Sequence, residues 1–278
     1  MSISLPSYVR KETTLLSRRH RVFAIVFTGL RRELKRPAAI FAIAAGTVLT
    51  TVISIVLVFF ASFFLQGQPL DLSFFYVPAS NPAVLFFVTL MAAVVGSGLI
   101  ADDRRSMALT LYLSRPITQA DYLLAKASIV GPLVSMISVL PLVITPIVAA
   151  LLALFGWTVA LHAIGAGLAL GLLLAGFYSA VSLFLSSLTS RRGYAAAGVF
   201  AITFGIGLPA ELLAGGLNEP ALLYLSPWQC FLAVARGIYG APQAPIDWGP
   251  ALAILLSVTV VASLATYVRM RMLEVVTG

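Results

Sequence analysis

One cysteine, two histidines and only 10% charged residues occur in a chain of 278. The lone Cys230 forbids an intramolecular disulfide, so stability rests on packing. So few histidines and cysteines supply no metal cluster. No Gly-Lys pair occurs, which excludes the Gly-x-x-x-x-Gly-Lys-Ser/Thr loop that cradles nucleotide phosphates, and Gly-x-Ser-x-Gly is absent as well. Soluble domains carry about 25% charge. With 10% charged and 60% hydrophobic residues, this chain lacks the polar surface to cover a core in water, and lipid takes the place of that solvent.

Six apolar runs are bounded by charges or by Pro and Gly: residues 38–65, 83–101, 128–155, 159–188, 195–213 and 250–268. A hydrocarbon layer about 30 Å thick needs ~20 residues at 1.5 Å each, so each run is long enough to cross. The fold class expected is all-α, a polytopic membrane protein with six transmembrane helices. Lys and Arg are retained on the cytoplasmic side. Residues 1–37 hold nine of them, 102–127 four, 189–194 two and 269–278 two, whereas Arg236 alone lies on the opposite side. This asymmetry places both termini in the cytoplasm, as an even number of spans requires. The formal charge of +8 therefore orients the chain rather than recruiting nucleic acid.

Residues 20–36, HRVFAIVFTGLRRELKR, place Val22, Phe23, Val26, Phe27, Leu30 and Leu34 at helical spacing, with Arg21, Arg31, Arg32, Lys35 and Arg36 on the other face. Such a helix is expected to lie in the interface plane, its arginines meeting anionic headgroups; a flank that only fixes topology is the simpler alternative. Pro37 then turns the chain into the bilayer.

Segment 102–127, DDRRSMALTLYLSRPITQADYLLAKA, carries Met107, Leu109, Leu111 and Leu113 beside Asp102, Asp103, Arg104 and Arg105, which marks a cytoplasmic excursion. Thr118 precedes Asp121 by three residues, the spacing of a capping box. Helix, break at Arg115-Pro116, helix is the expected course. Its leucines need a cover, either a cytoplasmic partner or the chain's own in-plane helix.

An amphipathic basic helix, a span, an outward loop, a second span, and then Ser114-Arg115-Pro116-Ile117 followed by Asp121-Tyr122-Leu123-Leu124-Ala125-Lys126 resembles the permease subunits of the second exporter type of ATP-binding-cassette (ABC) transporters. The sequence departs from that family's usual Glu-x-x-x-Gly-Thr at Ala101-Asp102-Asp103 and Ser106-Met107. The resemblance implies that segment 102–127 carries a coupling helix seated on an ATPase subunit, with Asp102, Arg104, Arg105, Leu109, Arg115, Pro116, Asp121 and Tyr122 at that joint. It further implies two ATPase copies holding Mg-ATP, no cofactor on this chain, a second permease copy or close relative, and residence in the cell's inner (plasma) membrane. An ion-coupled carrier or channel without an ATPase is the runner-up, because Ser, Thr and backbone groups can line a polar path unseen by hydropathy. An intramembrane enzyme would need paired acids, histidines or a serine dyad at one depth, which the spans lack.

At the outer end, Glu211 is the one Asp, Glu, Lys or Arg inside the delimited runs. A helix ending at Pro209 would leave it among the headgroups; the alternative is a role at the exit. Residues 209–249 are expected to form an outward or re-entrant segment, where Ser226-Pro227 starts a short helix and Trp228 and Phe231 either anchor it or help gate the pathway. Gly167-x-x-x-Gly171 lets two backbones approach, in one subunit or between two.

Overall fold

The computed structural model describes residues 17–64, 71–107, 118–242 and 245–276, and every regular element among them is helical. We name them α1 (Arg18–Glu33), α2 (Pro37–Phe64), α3 (Pro82–Arg105), α4 (Gln119–Leu151), α5 (Trp157–Leu188), α6 (Arg192–Leu217), α7 (Pro227–Tyr239) and α8 (Trp248–Val276). Six of these, α2 to α6 and α8, are long and apolar enough to cross a membrane. The protein is thus consistent with a six-span membrane protein.

Helices α3, α4 and α5 form the inside. Of α3's most apolar stretch 78% is buried, against 22% for those of α2, α6 and α8, so these last three are the outer staves. Close packing at the centre depends on two glycines. A Cβ on Gly167 would lie 2.8 Å from the Leu142 carbonyl oxygen, and one on Gly171 2.9 Å from the Val139 Cα. Both lie against α4 of the same chain, which assigns the Gly-x-x-x-Gly face to a contact within one subunit.

Proline shapes the long helices. Helix α4 breaks at Val139, two residues before Pro141, which has no N–H for the carbonyl one turn back. Ser138 then donates to the Gly171 carbonyl at 2.9 Å, tying the break to α5. Helix α6 contains a wide π-helical turn, Ala201–Ile206, shortly before Pro209. Such turns re-satisfy carbonyls that a proline leaves open. The helix therefore runs on through Pro209 to Leu217 and ends at Asn218, in the left-handed region at φ 55°. A second π-helical turn, Ala92–Gly96, lies in α3.

Two helices run past the apolar runs for one reason. Charges at 102–105 and 118–127 mark water, but a helix has no need to end where the bilayer does. Helix α3 continues to Arg105, and α4 begins at Gln119, directly after the expected cap Thr118, so both helices reach into segment 102–127. Likewise α6 continues to Leu217, into segment 209–249. Leu109, Arg115 and Pro116, and with them the expected helix and break between 108 and 117, lie outside the described residues.

Candidate functional site

The charged end of the bundle gathers side chains from α1, α3, α4, α5 and α8. Thr118 caps α4: its hydroxyl accepts from the Asp121 amide at 3.2 Å, and the Asp121 carboxylate accepts from the Thr118 amide at 3.2 Å. Both partners of the capping box are in place. Arg18, at the start of α1, then donates to Asp121 through Nε at 2.8 Å and Nη2 at 2.9 Å, a two-pronged pair of the kind guanidinium and carboxylate favour. That carboxylate raises the guanidinium pKa above its ordinary value.

Below this clamp lies a buried pair. Lys126 Nζ stands 2.6 Å from Asp103 Oδ2, with both side chains almost wholly covered, and the Tyr122 hydroxyl donates to the same oxygen at 2.8 Å. The ammonium also sits 5.2 Å from the Tyr122 ring centre. Two charges survive burial here because each finds the other and the acceptor oxygen is hydrogen-bonded besides. The pair joins the last turn of α3 to the second turn of α4, the two roots of the connection from Ser106 to Ile117.

Further contacts lock neighbouring helices to these roots. Glu33, wholly buried, accepts from Arg32 at 3.3 Å and is ion-paired with Arg36 at 2.7 Å, while Arg36 also reaches Asp102 at 3.4 Å. On the other side the Ser186 hydroxyl of α5 donates to the Ser97 carbonyl at 2.7 Å and accepts from the amides of Ile100 and Ala101 at 3.1 and 2.9 Å. Arg104 and Arg269 both donate to the Ser187 carbonyl, at 2.6 and 2.8 Å, cations placed where the C-terminal end of α5 is negative. Charge patterning does not reveal Ser186 and Ser187. The only sequence signal is two consecutive serines at the end of an apolar run, which need partners if they do not face lipid.

The structure therefore divides the expected coupling residues. Asp102, Arg104, Asp121 and Tyr122 each have a polar partner within the chain, and Tyr122 is fully buried. Arg105 is exposed. On α1, Phe23 and Phe27 are exposed and stack with ring centres 6.3 Å apart, whereas Val26 and Leu30 pack on the core and Gly29 lies against Ile129 of α4. Arg31 and Arg32 are exposed beside the two phenylalanines' helix face.

At the far end, Ser226 joins two expected residues. Its hydroxyl donates to Glu211 at 3.1 Å and accepts from the Gln229 amide at 3.3 Å, capping α7. Glu211, half-buried inside α6, thus holds the start of the helix that carries Trp228 and Phe231. Those two rings stack at 5.3 Å and are buried in the chain's own core. Arg236, expected only as the lone outer cation, lies 5.0 Å from the Tyr76 ring and ties α7 to the turn Tyr76–Ala79.

No protein-family model matches this chain, and no curated protein matches it. The functional reading consequently stands on residues and geometry.

Proposed function

We propose that the chain is the transmembrane permease subunit of an ABC exporter, in the plasma (cell inner) membrane with both termini cytoplasmic, driven by separate ATPase subunits that hold Mg-ATP. Two permease subunits enclose one pathway, and two ATPases dock on the cytoplasmic face. The observation that carries this reading is the Asp103–Lys126 pair. It clamps both roots of the 106–117 connection, so a push on that connection moves α3 and α4 as a unit. A loop serving only as a tether has no use for a buried ion pair at its base, because such a pair is costly to desolvate.

In this reading α1 lies along the inner membrane surface with Phe23 and Phe27 in the acyl boundary, and the Arg18–Asp121 pair fixes it to the coupling root. Contact with the ATPase falls to the connection itself, including Leu109, Arg115 and Pro116, since Asp121 and Tyr122 face inward. Affinity purification of the tagged full chain from native membranes tests this. An ATPase chain should co-purify, and Leu109→Asp with Arg115→Glu should release it; a chain that never brings an ATPase with it overturns the reading.

One observation favours the runner-up, a carrier or channel. Thr89, Tyr178 and Thr203 meet in the bundle interior, Tyr178 Oη 3.2 Å and Thr89 Oγ1 3.4 Å from Thr203 Oγ1. Vesicles that transport with neither ATP nor an ATPase would establish that alternative.

A further inference from the structure

Arginine outnumbers carboxylate at the charged end, and three of the surplus arginines share one place. Among residues whose side chains are described, four carboxylates lie there, and each faces a cation: Glu33 with Arg36, Asp102 with Arg36, Asp103 with Lys126, and Asp121 with Arg18. Arg105, Arg191 and Arg192 pair with none of them. These three line a single cavity of about 670 Å³ with Ser190, Gly193 and Tyr194, where the last turn of α3 meets the turn between α5 and α6. No carboxylate is among the lining residues.

Two of the three guanidiniums are held in place. Arg192 is anchored by a hydrogen bond to the Val94 carbonyl in the π-helical turn of α3. Arg191 lies 5.8 Å from the Tyr194 ring centre and donates to its hydroxyl at 3.5 Å. Helix α6 starts at Arg192, so its unbonded N–H groups add positive potential to the same spot. Guanidiniums lining one cavity repel one another, and a tetrahedral oxyanion relieves that repulsion while accepting from several planar forks at once.

We propose that this cavity binds a phosphate group, of the kind carried by an anionic phospholipid or free in solution. The level of the cavity favours the lipid as source. It lies at the ends of three apolar spans, and exposed Tyr194 is an aromatic suited to the headgroup zone. The inference rests on the six-span reading and not on the ATPase.

Native mass spectrometry of the purified full chain in detergent, with phosphatidylglycerol or phosphatidylcholine added, tests it. The unaltered chain should retain phosphatidylglycerol in preference. Arg105→Gln with Arg191→Gln should weaken that retention by about 30-fold, from ~5-fold per cation near a headgroup. Arg19→Gln with Arg271→Gln removes equal charge elsewhere at the same end of the bundle and should leave it intact. Displacement of the lipid by millimolar inorganic phosphate would make free phosphate a true ligand, and failure to displace would make the headgroup the source; both support the site. Equal retention by the first variant and the unaltered chain, or equal loss in the Arg19 and Arg271 control, overturns it. Arg105→Lys with Arg191→Lys keeps the charge without the forks and should show intermediate retention if the variant chain is folded.

Discussion

Arg18 and Asp121, 103 residues apart in sequence, form a two-pronged ion pair that binds the first helix to the cap of the fourth. Because Asp121 also completes the capping box, one carboxylate serves both the helix start and the attachment of α1. Arg18→Ala should speed amide exchange across 18–33 while leaving Gln119–Ser138 protected. Thr118→Ala should instead cost about 1 kcal/mol as a lost cap, read as a lower unfolding temperature in detergent.

Lys126→Met leaves Asp103 buried with only Tyr122 for company. Removing one partner of a buried pair costs about 3–5 kcal/mol, so this variant should unfold at a much lower temperature. Replacing both, Lys126→Met with Asp103→Leu, should recover most of the loss. If the pair transmits the push as proposed, the double variant should bind the ATPase yet hydrolyse ATP without moving cargo.

Gly167→Ala and Gly171→Ala each press a methyl against backbone of α4, which has no rotamer to give way, and each should cost roughly 1–3 kcal/mol. Gly165→Ala and Gly176→Ala meet open space on the same helix and should be neutral or slightly stabilising. Thermal unfolding of the four variants separates the two faces of α5.

Orientation is open to direct labelling, because the native background is low. Burial pushes the Cys230 thiol up to about 11, which keeps it out of the reactive thiolate form. In right-side-out vesicles Asn218→Cys should react with an impermeant maleimide from outside, and Ser106→Cys only after permeabilisation. The reverse pattern would invert the topology.

The six apolar runs were legible because hydropathy is a property of composition, readable without knowing any contact. The cap at Thr118 was legible for a similar reason, since its two partners are three residues apart. Helix ends at Arg105 and Leu217 were not, because charge and proline mark the membrane boundary or a lost hydrogen bond, and a helix passes through both when a π-helical turn or a neighbour satisfies the backbone. Asp103–Lys126 was hidden for a different reason. Each charge taken alone looks like a solvated flank, and only the packing of α3 on α4 brings them together under cover.

A photoreactive residue at Met107, where the connection leaves α3, tests the motor-driven account most directly. In native membranes it should cross-link to a separate ATPase chain, with the yield changing when ATP is trapped. Cross-links confined to lipid or to residues 18–36 of the same chain would contradict it.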